Sequence, residues 1–283
     1  MCYQSEEMDT EQVDYPWLIF KLGGEYFAFN SKLVSSIIIL PQNIVPMPNS
    51  PQFVRGIFDL RGKIIPLIEL RTLFGMKSLT KEYKEFSDML EARKQDHLHW
   101  VQELKRTAEL NEPFKLATDP HQCAFGKWYD NFESDLHTVN FHMRKIDEPH
   151  KKLHQTALEV EKCKKDCENC EREECLKSIF NRLSNEYVPQ ICSLIDEAKV
   201  LFKADFREMV IVLEIQDDYY GIIVDEIVSV EDLEQVGSVN NLGSSEQSDF
   251  ISEVRKSKSI SKSILVIDDS VLIGAVTGKK AVL

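Results

Sequence analysis

Every histidine of this chain, seven in all, lies between His97 and His154, and Cys123 sits among them in His121-Gln-Cys-Ala-Phe-Gly-Lys-Trp-Tyr129. Imidazole and thiolate are the usual zinc ligands, and His150 and His154, spaced i, i+4, share one face of a helix. A metal site in the middle of the chain is therefore the first expectation, and it requires helices there. The segments on either side carry the periodicity of strands.

The chain has 283 residues, enough for about two domains. Its net charge of −13 argues against nucleic-acid binding, which needs a basic surface. No apolar run approaches the ~20 residues of a membrane helix, so direct membrane insertion is not expected. The acidic start of the sequence lacks the basic and apolar regions of a signal peptide. The reading is cytoplasmic, with seven cysteines that serve as thiols or metal ligands rather than structural disulfides.

Residues 15–76 read as β structure. Trp17–Leu22 and Glu25–Phe29 flank the turn Gly23-Gly24, Val34–Leu40 carries the run Ile37-Ile38-Ile39, and Phe53–Leu60 and Lys63–Leu70 meet at Arg61-Gly62. From about Lys77 to Lys203 the spacing becomes helical. Tyr83, Phe86, Leu90, His97, Val101, Leu104 and Ala108 return to one face, which places His97 in a bundle core. Asp119 is a candidate N-cap before Pro120, so Cys123 falls near a helix N-terminus, where the dipole favours a thiolate. A third stripe runs Leu136, Val139, Met143, Ile146, His150, Leu153, Ala157, with Pro149 as a possible interruption. A fourth runs Phe180, Leu183, Tyr187, Ile191, Leu194, Ala198, Leu201, with a kink expected at Pro189. The pattern predicts a four-helix bundle.

After residue 204 strands return as Glu208–Ile215, a turn at Asp217-Asp218, and Tyr219–Val230. A Gly/Ser/Asn-rich loop follows from Gly237 to Ser248, then a strand at Ile264–Asp268. Neither β segment easily closes a sheet alone, so the simplest architecture is one β domain with a helical bundle inserted into it.

The segment Gly56-Ile-Phe-Asp-Leu-Arg-Gly-Lys-Ile-Ile-Pro-Leu-Ile-Glu-Leu-Arg71 resembles the CheW family of chemotaxis coupling proteins, and Gly221-Ile-Ile-Val-Asp-Glu-Ile-Val-Ser-Val230 resembles a second signature of that family. The resemblance implies a pair of small five-stranded β-barrels that links chemoreceptor cytoplasmic tips to a CheA-type histidine kinase and has no catalytic residues. Arg61, Gly62 and Asp225 are its candidate partner-binding residues. One departure is Phe250-Ile-Ser-Glu-Val254, where Ser252 and Glu253 follow the aromatic–Ile pair in place of the usual glycine.

The helical segment is similar to the chemoreceptor zinc-binding (CZB) domain, through Asp96-His97-Leu-His-Trp100, Cys123-Ala-Phe-Gly-Lys-Trp-Tyr129 and Pro149-His-Lys-Lys-Leu-His154. The implied zinc ligands are His97, Cys123, His150 and His154, three nitrogens and one sulfur around one ion. His99, His121, His137 and His142 read as solvated or supporting residues, with His121 a reserve ligand. The expected fold class is α+β, a CheW-like double β-barrel domain interrupted by an inserted zinc-binding four-helix bundle. Its parts are an acidic flexible tail (1–14), the first CheW-like part (15–76), the CZB-like insert (77–203) and the second CheW-like part (204–283).

The run Cys163, Cys167, Cys170, Cys175 lies outside both patterns. On a single helix the first three share a face and Cys175 does not. A second metal, a thiol–disulfide pair and inert thiols all remain open for it. The whole reads as a chemotaxis adaptor with a zinc-dependent insert that responds to oxidant or zinc. The alternatives are a zinc that is purely structural and a metal-dependent hydrolase. A catalytic zinc keeps an open position for water, whereas four ligands close the shell here, so no enzyme activity is expected.

Overall fold

The computed structural model describes residues 15–134, 136–205, 207–215, 218–238 and 250–277. The acidic tail, residue 217 of the turn expected there and most of the Gly/Ser/Asn-rich loop lie outside these residues. The chain divides into two compact units, one formed by Met1–Ser78 with Arg207–Leu283, the other by Leu79–Phe206.

The first unit contains strands β1 (Trp17–Leu22), β2 (Glu25–Asn30), β3 (Val34–Ile39), β4 (Val54–Leu60) and β5 (Lys63–Glu69), then the short helix α1 (Leu70–Leu73). After the second unit come β6 (Met209–Ile215), β7 (Asp218–Val224), β8 (Glu226–Glu231), β9 (Glu234–Ser238), β10 (Ile251–Lys256) and β11 (Ile264–Ile267), followed by helix α8 (Asp269–Thr277). One sheet has the order β8-β1-β2-β11-β10-β9 and the other β3-β6-β7-β5-β4. Among the described residues no ladder joins the end strands of either sheet, so they are described as sheets rather than closed barrels.

Both sheets mix strands from the two ends of the chain. β2 pairs in parallel with β11, and β5 in parallel with β7. The alternation of side chains along each strand explains how the sheets share a core. Leu18, Phe20 and Leu22 of β1 join Ile211 and Leu213 of β6 and Ile222 and Val224 of β7 in one buried cluster. The alternate residues of these strands face away, Ile19 into a cluster with Ala28 and Ile264, and Val210, Val212 and Ile223 into one with Ile65 and Leu67.

Two ion-pair groups also bridge the segments. Arg71 pairs with Asp225 at 2.7 Å, and Arg55 contacts both Glu69 and Glu208. The sequence reads 219–230 as one strand, whereas the chain bends at Asp225 and passes from β7 in one sheet to β8 in the other. Ser252 and Glu253 sit in β10 at a register shift against β11, where Ser252 donates to the Val266 carbonyl and Glu253 accepts from Arg255.

The second unit is helical: α2 (Leu79–Glu109), α3 (Ala124–Tyr129), α4 (His137–Met143), α5 (Asp147–Asp166), α6 (Asn169–Arg182) and α7 (Val188–Asp205). α2, α5 and the α6–α7 run are the long members, and α4 packs on α7. Phe86, Leu90, His97, Trp100, Leu104 and Ala108 are the buried face of α2. Pro149 falls in the first turn of α5 and does not interrupt it, because the missing N–H would have no partner there. Pro189 does disturb its helix. One wider turn, Leu183–Tyr187, precedes it, with the Val188 N–H reaching back to the Leu183 carbonyl. That turn relieves the clash a proline ring makes with the carbonyl four residues earlier.

Candidate metal centre

Three elements converge in the core of the helical unit. α2 presents His97, α5 presents His150 and His154 one turn apart, and Cys123 is the N-cap of α3. One donor atom from each residue lies within 4.8 Å of the other three. His97, His150 and His154 are buried and Cys123 is half-buried. The structure thus brings together the four residues that the sequence names. His121 does not join them, and its exposed ring lies 3.0 Å from Asp130.

The tautomers follow from hydrogen bonds. His97 Nδ1 lies 2.7 Å from the Arg93 carbonyl and His154 Nδ1 lies 3.1 Å from the Ala117 carbonyl. A carbonyl only accepts, so each Nδ1 carries the proton and each Nε2 is left with a bare lone pair. Both Nε2 atoms are buried without a hydrogen-bond partner. A buried orphan nitrogen is costly, and two of them aimed at the same few ångströms as a thiol fit a cation. His150 Nε2 lies 3.3 Å from Cys123 Sγ.

Burial keeps all three imidazoles neutral, the state in which they ligate. It lowers His97, and burial with the neighbouring rings holds His150 at about 2 and His154 at about 4. The Cys123 thiol behaves differently from the sequence expectation. Burial pushes it up, outweighing the backbone N–H groups of Gly126 and Phe125 that favour the thiolate. The N-terminus of a six-residue helix does not by itself make this cysteine ionised.

The chain is shaped locally to hold these groups. Asp119 caps the short turn Pro120–Gln122 by accepting from the His121 N–H. Gly126 donates its N–H to Cys123 Sγ at 3.1 Å, and a Cβ there would lie 1.9 Å from the Pro120 carbonyl oxygen. Only glycine lets that turn fold so closely over α3. Trp100 donates to the Ala117 carbonyl at 2.8 Å, the same oxygen that orients His154. Sequence reasoning missed Ala117, because a backbone acceptor leaves no signal in residue type. Phe125 sets its ring edge-on to His97 and His150, 5.6 and 5.0 Å away. A cavity of about 330 Å³ lined by His97, Trp100, Cys123, Phe125 and His154 opens beside the donors.

His99 and His137 are exposed, as the sequence suggests. His142 is a correction to the solvated or supporting role expected for it. It is 3% exposed and its Nε2 donates to the Leu194 carbonyl of α7, which makes it part of the helix packing.

The four-cysteine run does not lie on one helix. α5 ends at Asp166, Cys167 is extended with φ −111° and ψ 145°, and α6 starts at Asn169. Arg172 closes the end of α5 by donating to the carbonyls of Lys164 and Cys167. The turn brings Cys163, Cys167 and Cys175 together and leaves Cys170 exposed.

Of the residues considered for partner binding, Arg61 and Gly62 form the exposed tip between β4 and β5, with φ of 55° and 82°. Asp59 secures the tip by accepting the Gly62 N–H at 2.7 Å. Arg61 holds a left-handed conformation that usually goes to Asn or Gly. Asp225 points inward instead, accepting from Arg71 and from the Gly23 N–H at 2.7 Å.

A family model described as the CheW-like domain matches residues 16–110, and one described as the chemoreceptor zinc-binding domain matches residues 97–161. The second range contains all four converging residues. Segment 204–270 lies outside both ranges. Chemotaxis protein CheW of Treponema pallidum (strain Nichols) is 33% identical over 75 residues, which is 26% of this chain and 44% of that protein. Chemotaxis protein CheW of Helicobacter pylori (strain ATCC 700392 / 26695) is 35% identical over 74 residues, again 26% and 44%. The match thus spans less than half the length of these relatives. A crystal structure of scaffolding protein TtCheW from Thermoanaerobacter tengcongensis covers 95% of this chain and 91% of its own, at 13% identity and a TM-score of 0.40.

Proposed function

We propose that this chain is a cytoplasmic, non-enzymatic chemotaxis adaptor that couples chemoreceptor tips to a CheA-type histidine kinase, and that its helical unit is a zinc-dependent sensor inserted into a CheW-like domain. The observation that carries the reading is the pair of family matches, with four converging His and Cys donors inside the second. In this reading 15–76 and 204–283 form one CheW-like domain interrupted by the insert 77–203. His97, Cys123, His150 and His154 hold the zinc. Bound there, it supplies a cross-link between α2, α3 and α5 and lowers the thiol pKa.

The chain's own residues supply the rest of the mechanism. The carbonyls of Arg93 and Ala117 hold His97 and His154 in the ligating tautomer, and Gly126 holds Cys123 over the site. Two-electron oxidation of the Cys123 thiol to a sulfenic acid by a peroxide, which is itself reduced to water or an alcohol, or a change in zinc occupancy, would loosen the three helices. The helical unit continues into the β unit at both its ends, so such a change has two covalent routes to the coupling surface. Arg61 and Gly62, at an exposed tip in a conformation arginine rarely adopts, are assigned to partner contact. Asp225 is assigned instead to holding the β unit together from within, through Arg71 and Gly23. Among the described residues no helix is long and apolar enough to cross a membrane.

The test is a reconstituted array of receptor, kinase and this protein. Kinase activity is measured before and after oxidant or chelator, for wild type and Cys123→Ser. The sensor reading expects a change in wild type that Cys123→Ser loses for oxidant. No change under either treatment reduces the zinc to a structural clamp, and failure to join the array removes the adaptor role.

A further inference from the structure

The turn between α5 and α6 gathers a second set of metal-ligating side chains that the adaptor mechanism does not use. Cys163 in the last turn of α5, Cys167 at its end and Cys175 on α6 have their sulfur atoms all within 4.8 Å of one another. Cys163 is 3% exposed, while Cys167 and Cys175 are half-buried. Cys167 follows the end of α5 with its N–H still donating to the Cys163 carbonyl at 3.1 Å, which keeps it beside Cys163, and the reversal of the chain brings Cys175 to them from α6.

We propose that Cys163, Cys167 and Cys175 form a second metal site, an all-thiolate pocket for one soft cation, zinc(II) or copper(I), at the α5–α6 turn. Three sulfur donors and no oxygen or imidazole exclude hard cations such as magnesium and calcium, whose ligands are oxygens. Metal–sulfur bonds near 2.3 Å place ligating sulfurs of one ion ~4 Å apart, within the span seen here. An iron–sulfur cluster requires about four cysteines, and Cys170, the fourth in sequence, stands exposed outside the group. Copper(I) is satisfied by three thiolates, and zinc completes its tetrahedron with water. The turn is already fixed by the Arg172 guanidinium on the Lys164 and Cys167 carbonyls, so the sulfurs are gathered without the cation having to fold the loop. Cys163 lies nine residues beyond His154 on α5, ~13 Å along the axis at 1.5 Å per residue, too far for one ion to serve both sets.

The full-length reduced protein is stripped of metal and reloaded anaerobically, with zinc(II) in one arm and copper(I) buffered by a chromophoric chelator in the other. Metal content is read by elemental analysis and native mass spectrometry, and ligand type by X-ray absorption. The expected result is a second equivalent whose protein neighbours are sulfur alone, with one water oxygen added in the zinc arm, and the arm that shows it identifies the ion. Cys175→Ser and Cys167→Ser should each lose that equivalent and keep the first. His150→Ala should lose the first and keep the sulfur-only one, and Cys170→Ser should keep both. Because Cys163 is buried and its replacement can unfold the turn, Cys175→Ser is the deciding variant. A single, nitrogen-rich equivalent in both arms overturns the proposal, as does a second equivalent that survives Cys167→Ser and Cys175→Ser. Loss of the nitrogen-rich equivalent alone refutes the zinc sensor instead, so the two readings fail separately.

Discussion

Replacing Asp225 by alanine removes the carboxylate that holds together segments separated in sequence by the whole helical unit. In the native chain it accepts from Arg71 Nε at 2.8 and 3.1 Å, from Arg71 Nη2 at 2.7 Å and from the Gly23 N–H at 2.7 Å. The Arg71 side chain is only 6% exposed and that of Asp225 15%. Loss of the carboxylate therefore takes from a guanidinium in the protein interior the charged acceptor on which its Nε and Nη2 donate. Breaking a buried pair from one side costs about 3–5 kcal/mol. For a unit of roughly 150 residues that is a fall of roughly 6–20 °C in its melting temperature. Asp225→Asn retains one acceptor oxygen and should cost less, about 1–3 kcal/mol. Arg71→Met combined with Asp225→Asn should cost less than the two single changes together, with a coupling of roughly 0.5–3 kcal/mol. Calorimetry of the full chain reads the β transition, and hydrogen exchange in β1 and β7 confirms which unit has loosened. If Asp225→Ala shifts the β unit by less than ~0.5 kcal/mol, a surface effect in size, the pair does not hold the segments together. Lost kinase affinity on that unchanged fold would make Asp225 a direct contact.

Gly126→Ala drives a methyl into the Pro120 carbonyl and should lower zinc affinity about 10–100-fold with the bundle still helical, measured by chelator competition. Gly56 has φ 149° and its missing Cβ would lie 2.5 Å from the Val45 oxygen, so Gly56→Ala should destabilise the β unit by about 1–3 kcal/mol in urea unfolding. Replacing the helical unit by a Gly/Ser linker should leave a soluble β protein with two sheets, because lengthening or shortening a surface connection changes closure entropy only slowly. Circular dichroism and exchange protection in β2 and β5 would show it, and an unfolded product would refute it. Arg61→Ala should weaken kinase or receptor binding with no change in melting temperature, and unchanged affinity removes Arg61 from the surface.

The hairpins β1–β2 and β4–β5 are legible because Gly23-Gly24 and Arg61-Gly62 interrupt apolar runs with residues suited to tight turns, and all four adopt positive φ. The His and Cys donors are legible because metal chemistry restricts residue type as well as spacing. Other features leave weaker traces. The passage from β7 to β8 hides inside an unbroken apolar stretch, since Asp225 reads as an ordinary turn carboxylate until its partner Arg71 is known. β10 is obscured by Ser252 and Glu253, whose partners, the Val266 carbonyl across the sheet and Arg255 two residues along the strand, show only in the structure. α6 escapes notice because it is charged and buries little before Ile179, and because a regular helix through Cys167 looks equally good by spacing. The Ala117 and Arg93 carbonyls, which set the histidine tautomers, are invisible to any reading of side chains.

The parallel pairing of β2 with β11 and of β5 with β7 has a consequence for synthesis. Neither sheet can be completed by the strands made first, since each needs partners encoded beyond the helical unit. At 5–20 residues per second, the roughly 130 residues of that unit take roughly 6–26 s to emerge. During that interval β1 to β5 wait with open edges, the state most exposed to wrong pairing between nascent chains. The helical unit, rich in local contacts, can fold while they wait. Once folded, it replaces a long flexible loop by a compact body that carries both its ends. Completion of the sheets is then a late event, timed by the ribosome's arrival at the C-terminal strands.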